Sequence, residues 1–434
     1  MSKTDKSELP RTLGATSLAL NAINLTVGGG IFVVPAIVAG GLGPASFVAY
    51  LLCAMLMILV MLCYAEIGSK VTTSGGAYAY VEYAFGKYAG FLINILFWFG
   101  YSVVSDAAIA NAMADMIGTM WPAVNDKIIR IFLFVLLFGF FAIINIRGAK
   151  SGARLVAINT VAKLFPLIVL IVFGLFNLKG ENLKISNWPE LTNYGEMALI
   201  LFFAFGGTDA ALGNSGEIRN PKKNIPRGVF LGLGGILVIY LLIQTVAQGL
   251  LGNDLYLHTD APLASTAEVL FGKTGYQLVL FGAIISIYGT LSGDVLATSR
   301  FIYAGSKDKV YPEIFSKLHP RFKTPVYSIA LFAFLITLLA SIGEFKSLAL
   351  IASSATLVVY LAVILATIKV RFTEKNIVSD SFKIPGGYLI PILAAVVVLW
   401  FLSHVALNEF VAMTIFIVIV SIFYFSYSRR NIIR

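Results

Sequence analysis

Four ionisable residues interrupt long apolar stretches of this chain: Lys163 in VAKLFPLIVL, Asp209 in AFGGTDAAL, Asp294 in TLSGDVLAT and Asp106 in YSVVSDAAIA. Charge set that deep in apolar sequence is costly, so each is a candidate for holding a ligand, a proton or a fixed ion pair. Lys163 stands roughly 12 residues, or about 18 Å of helix, from the nearer end of its stretch, too far for simple snorkelling. It reads as a cation at a binding site or as a structural tie. Asp209 follows a glycine pair, where its plainest role is to cap the next half-helix, with a proton or gating role as the alternative. Asp294 precedes Arg300 by six positions; on a helix the two point apart, which argues against a local ion pair. Asp106 is a weaker candidate for the same region. No enzyme chemistry competes. His258, His319 and His404 lack metal-ligand spacing, there is no P-loop, and no motif calls for a cofactor. Cys53 and Cys63 lie on one stretch facing different ways and cannot form a disulfide.

Two glycine clusters supply chemistry of another kind. Gly28, Gly29 and Gly30 interrupt LNAINLTVGGGIFVVPA, and Gly206 and Gly207 interrupt LILFFAFGGTDAALGN. Each glycine costs a helix interior about 1 kcal/mol relative to alanine, so both segments are expected to unwind. Unwinding at 28–30 frees N–H groups at the positive end of the following half-helix, which suits a carboxylate. Carbonyls freed near Phe203, Ala204 and Phe205 suit an ammonium group. The two breaks together suit a zwitterionic α-amino acid, and paired breaks in corresponding helices mark the midplane site of a transporter. The competing reading is close helix packing through small residues.

The elements that must carry these residues are membrane helices. Of 434 residues, 58% are hydrophobic and 12% charged, and the mean hydropathy is +0.87; a soluble surface needs more charge. Apolar runs lie near 13–39, 44–68, 88–118, 128–146, 152–177, 195–216, 227–251, 276–304, 325–342, 347–370, 386–405 and 409–427. They are long enough for helices and lack the alternation of membrane strands. The net charge of +10 follows the loops rather than a nucleic-acid surface. With the N-terminus cytoplasmic, 25 Lys and Arg fall on that side, six on the other, and Lys163 between them. Twelve spans with both termini inside satisfy the positive-inside rule. The polar start carries no cleavable signal, and the stretch 252–275 is expected to hold a surface helix near 263–271.

Three motifs in order resemble the amino acid–polyamine–organocation superfamily: GGGIF at 28–32, EIGSKVTTSGGAYAYVEYAFG at 66–86, and FFAFGGTDAALGNSGEIRNPKKNIPRG at 202–228. SKDKVYP at 306–312 departs from the family's A-R-D-G-x-x-P, keeping Asp308 and Pro312 but placing Lys309 where glycine is usual. The resemblance implies an all-α integral membrane protein of LeuT-like, five-plus-five inverted repeat. Its repeats would be 12–178 and 194–371, with two additional helices at 386–428. Function would be secondary transport of amino acids in a bacterial inner membrane, by proton symport or exchange and without sodium. The partners are then an amino acid, the bilayer and protons, with no nucleic acid. By motif, Thr26, Gly28, Gly29 and Gly30 would meet the substrate carboxylate. Phe203, Ala204 and Gly206 would supply helix-six contacts, Phe203 as a lid, with the bare Gly206 leaving room for the substrate. Lys163 would stand in a sodium ion's place, tied to carbonyls of helices one, five and eight. Asp294 would face the substrate side chain, and Glu217 with Arg219 and Arg227 would belong to an inner gate or a loop network. A polyamine cargo and a non-transporting amino acid sensor are the alternatives.

Overall fold

The computed structural model describes residues 14–71, 76–148, 153–209, 218–307, 309–373 and 382–428, with backbone only at 153–159, 162, 221, 222, 427 and 428. Glu217 and Asp308 lie outside the described residues. All regular structure among those described is helical. The first half runs through α1 (Ala15–Thr26), a tight turn of helix at Gly29–Phe32, α2 (Val34–Leu42) and α3 (Phe47–Lys70). It continues with α4 (Ala77–Phe85), α5 (Lys87–Ile95), a π-helical stretch at Leu96–Val103, α6 (Val104–Met120), α7 (Lys127–Ile146) and α8 (Ala153–Leu175). The second half comprises α9 (Leu191–Phe202), extended by a tight turn at Phe203–Phe205, then α10 (Pro221–Leu251) and α11 (Pro262–Lys307). It closes with α12 (Val326–Ile342), α13 (Phe345–Thr373), α14 (Leu389–Leu402) and α15 (Leu407–Phe423).

Local chemistry sets these boundaries. Asp126 caps α7 by accepting from the N–H groups of Ile128 and Ile129 at 2.9 and 3.2 Å, satisfying donors that a helix start leaves over. Gly43, at φ 51°, turns the chain out of α2 into the next helix, a conformation that side chains resist. Among the described residues, seven helical spans are long and apolar enough to cross a bilayer, and four shorter apolar helices accompany them. Their outer faces carry bare apolar side chains, including Leu136, Phe140 and Ile143 on α7 and Phe176 just beyond α8. Exposure on that scale is tolerable only where lipid replaces water.

The stretch near 263–271 is a helix and not a free loop, parted from the rest of α11 at Gly272 with φ 64°; Leu263, Ala264, Thr266 and Ala267 on it are buried, while Val269 and Phe271 are exposed. The small residues on that face let it pack inward. Cys53 and Cys63 are buried free thiols.

One buried charge cluster fixes an end of the bundle. Glu66, near the end of α3, takes a fork from Arg371 on α13, with Arg371 Nε donating to Glu66 Oε1 at 2.6 Å and Nη2 donating to Oε2. The Ile384 N–H also donates to Oε2, at 2.8 Å, and Arg371 reaches the Gly387 carbonyl. The segment before α14 is thus pinned to two helices.

Candidate substrate-binding site

The two glycine breaks meet. α1 ends at Thr26, Gly28 is extended at φ −125° and ψ −151°, and the chain re-enters helix at Gly29. α9 runs out through the turn at Phe203–Phe205 into Gly206 at ψ 153° and Gly207 at φ 96°. A β-carbon on Gly207 would stand 2.8 Å from the Leu25 carbonyl oxygen, and one on Gly30 would stand 3.1 Å from the Ala204 Cα. Backbone approaches backbone at both places, which glycine permits and other residues do not. One on Gly29 would press on Ile287 of α11 and Ile109 of α6 at 3.0–3.1 Å.

Polar bonds join the crossing. Thr26 Oγ1 and Thr208 Oγ1 are 2.9 Å apart. The buried Tyr240 hydroxyl, from α10, points at the Thr26 carbonyl (3.1 Å) and the Ala204 carbonyl (2.8 Å). Acceptors stripped of their helical partners by each break are thereby served by one side chain. The donors are not. The N–H groups of Gly28, Gly29 and Gly30 make no backbone hydrogen bond among the described residues, although Gly29 and Gly30 are buried. Unserved buried donors cost on the order of 1–3 kcal/mol each, and they sit at the start of the helical turn leading into α2, where an anion is favoured.

Phe203 caps this region, its ring edge-on to Phe345 at 5.6 Å and close to Gly30. Lys163 is buried, and its ammonium donates to the Asn24 carbonyl of α1. Thr160 on the same helix donates to the Asn24 side chain at 2.9 Å. The tie to helix one expected of Lys163 is present, whereas none to α11 forms among the described residues. Asp209 lies within electrostatic range of Tyr64, Tyr101 and Tyr360; the half-helix it was expected to cap lies outside the described residues.

The space beside Gly206 is not empty. A β-carbon there would come within 2.7 Å of the Tyr101 hydroxyl, so the room expected from the missing side chain is filled from another helix. Tyr101 belongs to the π-helical stretch, and the extra residue per turn rotates this segment relative to α5 and α6. Such bulges concentrate at functional sites. Asp294 is half-buried on α11 and does not pair with Arg300, which instead donates to the Leu296 carbonyl at 3.3 Å. Asp106, on α6, is buried with no hydrogen-bond partner for its Oδ2 among the described residues, and Tyr101 lies within electrostatic range of both aspartates. Sequence reasoning put Asp106 in the same region as Asp294 but missed Tyr101, Tyr240 and Thr208. Thr208 could have been found from its place beside the glycine pair; the two tyrosines look like ordinary helix aromatics.

Residues 11–428 match the family described as amino acid permease. The chain belongs to that family. Among curated proteins, this permease is 27% identical over 444 residues to the methylthioribose transporter of Bacillus subtilis, covering 98% of this chain and 94% of the relative. It is 28% identical to the serine/threonine exchanger SteT of the same organism, covering 90% of each. It is 25% identical to that organism's branched-chain amino acid permease BcaP, covering 98% of this chain and 95% of the relative. A permease is a multi-pass membrane transporter and not an enzyme, in keeping with the absence of a catalytic constellation from the sequence.

Proposed function

We propose that this permease carries α-amino acids across the cytoplasmic membrane as a secondary transporter, holding them at the crossing of its two broken helices. The observation that carries the reading is the set of unserved N–H groups at Gly28, Gly29 and Gly30. A substrate carboxylate answers them, with Thr26 beside it, while carbonyls around Phe203 and Ala204 face the ammonium. Asp294 then meets the substrate side chain and favours polar or basic ones. Alternating access would move the half-helices and Phe203 about this fixed point, within a twelve-span, five-plus-five inverted repeat with both termini cytoplasmic. Lys163 takes the part of a coupling cation, so sodium is not required. The names of the exchanger SteT and of the permease BcaP support an amino acid cargo.

A polyamine is the second reading, favoured by the carboxyl of Asp294 with that of Asp106 in the same bundle. It offers nothing to the glycine donors. A thermal-shift screen of the purified protein against the twenty amino acids, common polyamines and methylthioribose separates these cases, because a ligand that binds the folded state raises apparent stability. Stabilisation by one or more amino acids, lost in Gly30→Val, is the expected result. Stabilisation by a polyamine or methylthioribose and by no amino acid would overturn the reading.

A further inference from the structure

A cleft of about 540 Å³ opens between α3, α9 and α14, about two and a half turns of α9 before the Phe203 turn. Leu52 and Met55 of α3, Leu191 and Tyr194 of α9, and Val397 and Trp400 of α14 form its walls, and no polar atom opens onto it. Residues three apart share one side of a helix, so each helix gives the cleft a single apolar face. It opens sideways. Met55, Leu191 and Val396 at its mouth are exposed, as are Leu51 and Leu399 beside them on the same helices, and they continue the bare apolar surface that only lipid can cover. Trp188, just before α9, lines the cleft with Trp400, in the last turn of α14; these are two of the chain's four tryptophans. Each sits at the end of its helix, where a membrane helix meets water and tryptophan collects. Neither indole N–H is engaged by another described residue, so a donor stands at each helix end for a lipid's ester or phosphate oxygens.

Shape and chemistry select the occupant. Water needs polar partners, and the walls offer none. A helix about 10 Å across would fill the volume in little more than one turn, so neither a second copy nor another membrane helix seats there. A single fatty-acyl chain is slender enough, and it is as apolar as the walls. We propose that the cleft binds one acyl chain of a membrane phospholipid, with the tail between α3, α9 and α14 and the headgroup at the tryptophans. Touched on three sides, that tail makes dispersion contacts that the open face of α7 gives from one side only, which separates a retained lipid from the bulk. The site bears on the rest of the molecule through α9. Cys53 Sγ donates to the Ala198 carbonyl of that helix at 3.2 Å, and the His404 ring lies against Gly195, where a β-carbon would come within 2.2 Å of it. The cleft borders the first turns of the same helix, which runs on into Phe203 and the glycine break, so the bound chain helps to set where this half-helix stands. That consequence rests on the transport reading; the binding of lipid does not.

Native mass spectrometry of the detergent-purified protein tests this without substrate. Delipidated protein is mixed with palmitoyl-oleoyl phosphatidylglycerol and phosphatidylethanolamine, and a single phospholipid is expected to stay bound as rising collision energy strips the rest. Leu52→Trp fills the cleft and is expected to abolish that adduct, whereas Leu136→Trp, on the exposed face of α7, is expected to keep it. Should Leu52→Trp fail to fold by gel filtration, Val396→Trp closes the mouth from its exposed rim and is expected to give the same loss. Absence of a retained phospholipid in the wild type would overturn the proposal, as would equal retention in the wild type and the cleft-filling variant. Retention of a free fatty acid in its stead, or a dimer that the cleft-filling variant separates, would also overturn it by giving the cleft to another occupant. None of these outcomes bears on the amino acid reading, which the ligand screen decides alone.

Discussion

Glu66 and Asp106 are both 1% exposed carboxyl residues inside the same helical bundle, yet their surroundings are opposite. Glu66 has a two-pronged arginine and a backbone N–H. Asp106 is buried with no hydrogen-bond partner for its Oδ2 among the described residues. A buried charge that is paired and hydrogen-bonded is made to stay as it is, and breaking its partnership is expensive. A buried carboxyl oxygen left without a partner carries a desolvation cost that a proton or a ligand would relieve. The difference separates a joint that fixes the bundle from a site that can change state, although exposure alone would rank the two residues equally.

The largest effect expected is at the joint. Arg371→Ala strands the Glu66 charge and frees the segment before α14, at a cost of about 3–5 kcal/mol; chemical denaturation in detergent reads this as a lower midpoint. Wild-type stability would mean that Glu66 finds water or a proton, and the contrast with Asp106 would fail. The next effect falls on the glycine donors, which are unserved like Asp106 but carry no charge. Gly30→Val drives a branched side chain at the Ala204 backbone, and ligand binding is expected to vanish while the protein still inserts. Binding at wild-type affinity would place the substrate elsewhere.

Smaller again is the effect at Asp294. Asp294→Asn is expected to weaken a basic substrate by roughly 1.5–3 kcal/mol, the worth of a charge-assisted hydrogen bond, and a small neutral one much less. Competition by lysine, glutamine, alanine and leucine measures this, and an unchanged order of competitors would assign the carboxyl to packing. The least effect, none at all, is expected on replacing sodium by potassium in proteoliposome uptake. Strict sodium dependence would show that Lys163 does not fill a cation's place. A proton gradient should accelerate uptake in wild type, and comparing Lys163→Ala with Asp106→Asn shows which group carries that response.

Much of this was legible in the sequence because it is local. Apolar runs mark the helices, since backbone in lipid must satisfy itself, and GGG at 28–30 marks a break because three glycines in a row forfeit helix stability. The place of Tyr240 across both breaks was not legible, because it depends on how α10 packs against them and not on any spacing along the chain. The vacancy expected at Gly206 misled for the same reason: a missing side chain measures space only from its own strand of backbone, and Tyr101 reaches in from another. Its π-helical setting adds a residue to the turn, a shift that no apolar periodicity records.

Tyr240 has one hydrogen and faces two carbonyls, at Thr26 and Ala204, each belonging to a different broken helix. It can donate fully to one or share between them, so a small slide of one half-helix past the other trades acceptors without stranding the hydroxyl. If the half-helices move as the transport reading proposes, the hydroxyl serves as a bearing that keeps the two breaks in register, and Tyr240→Phe would turn a lubricated joint into a dry one.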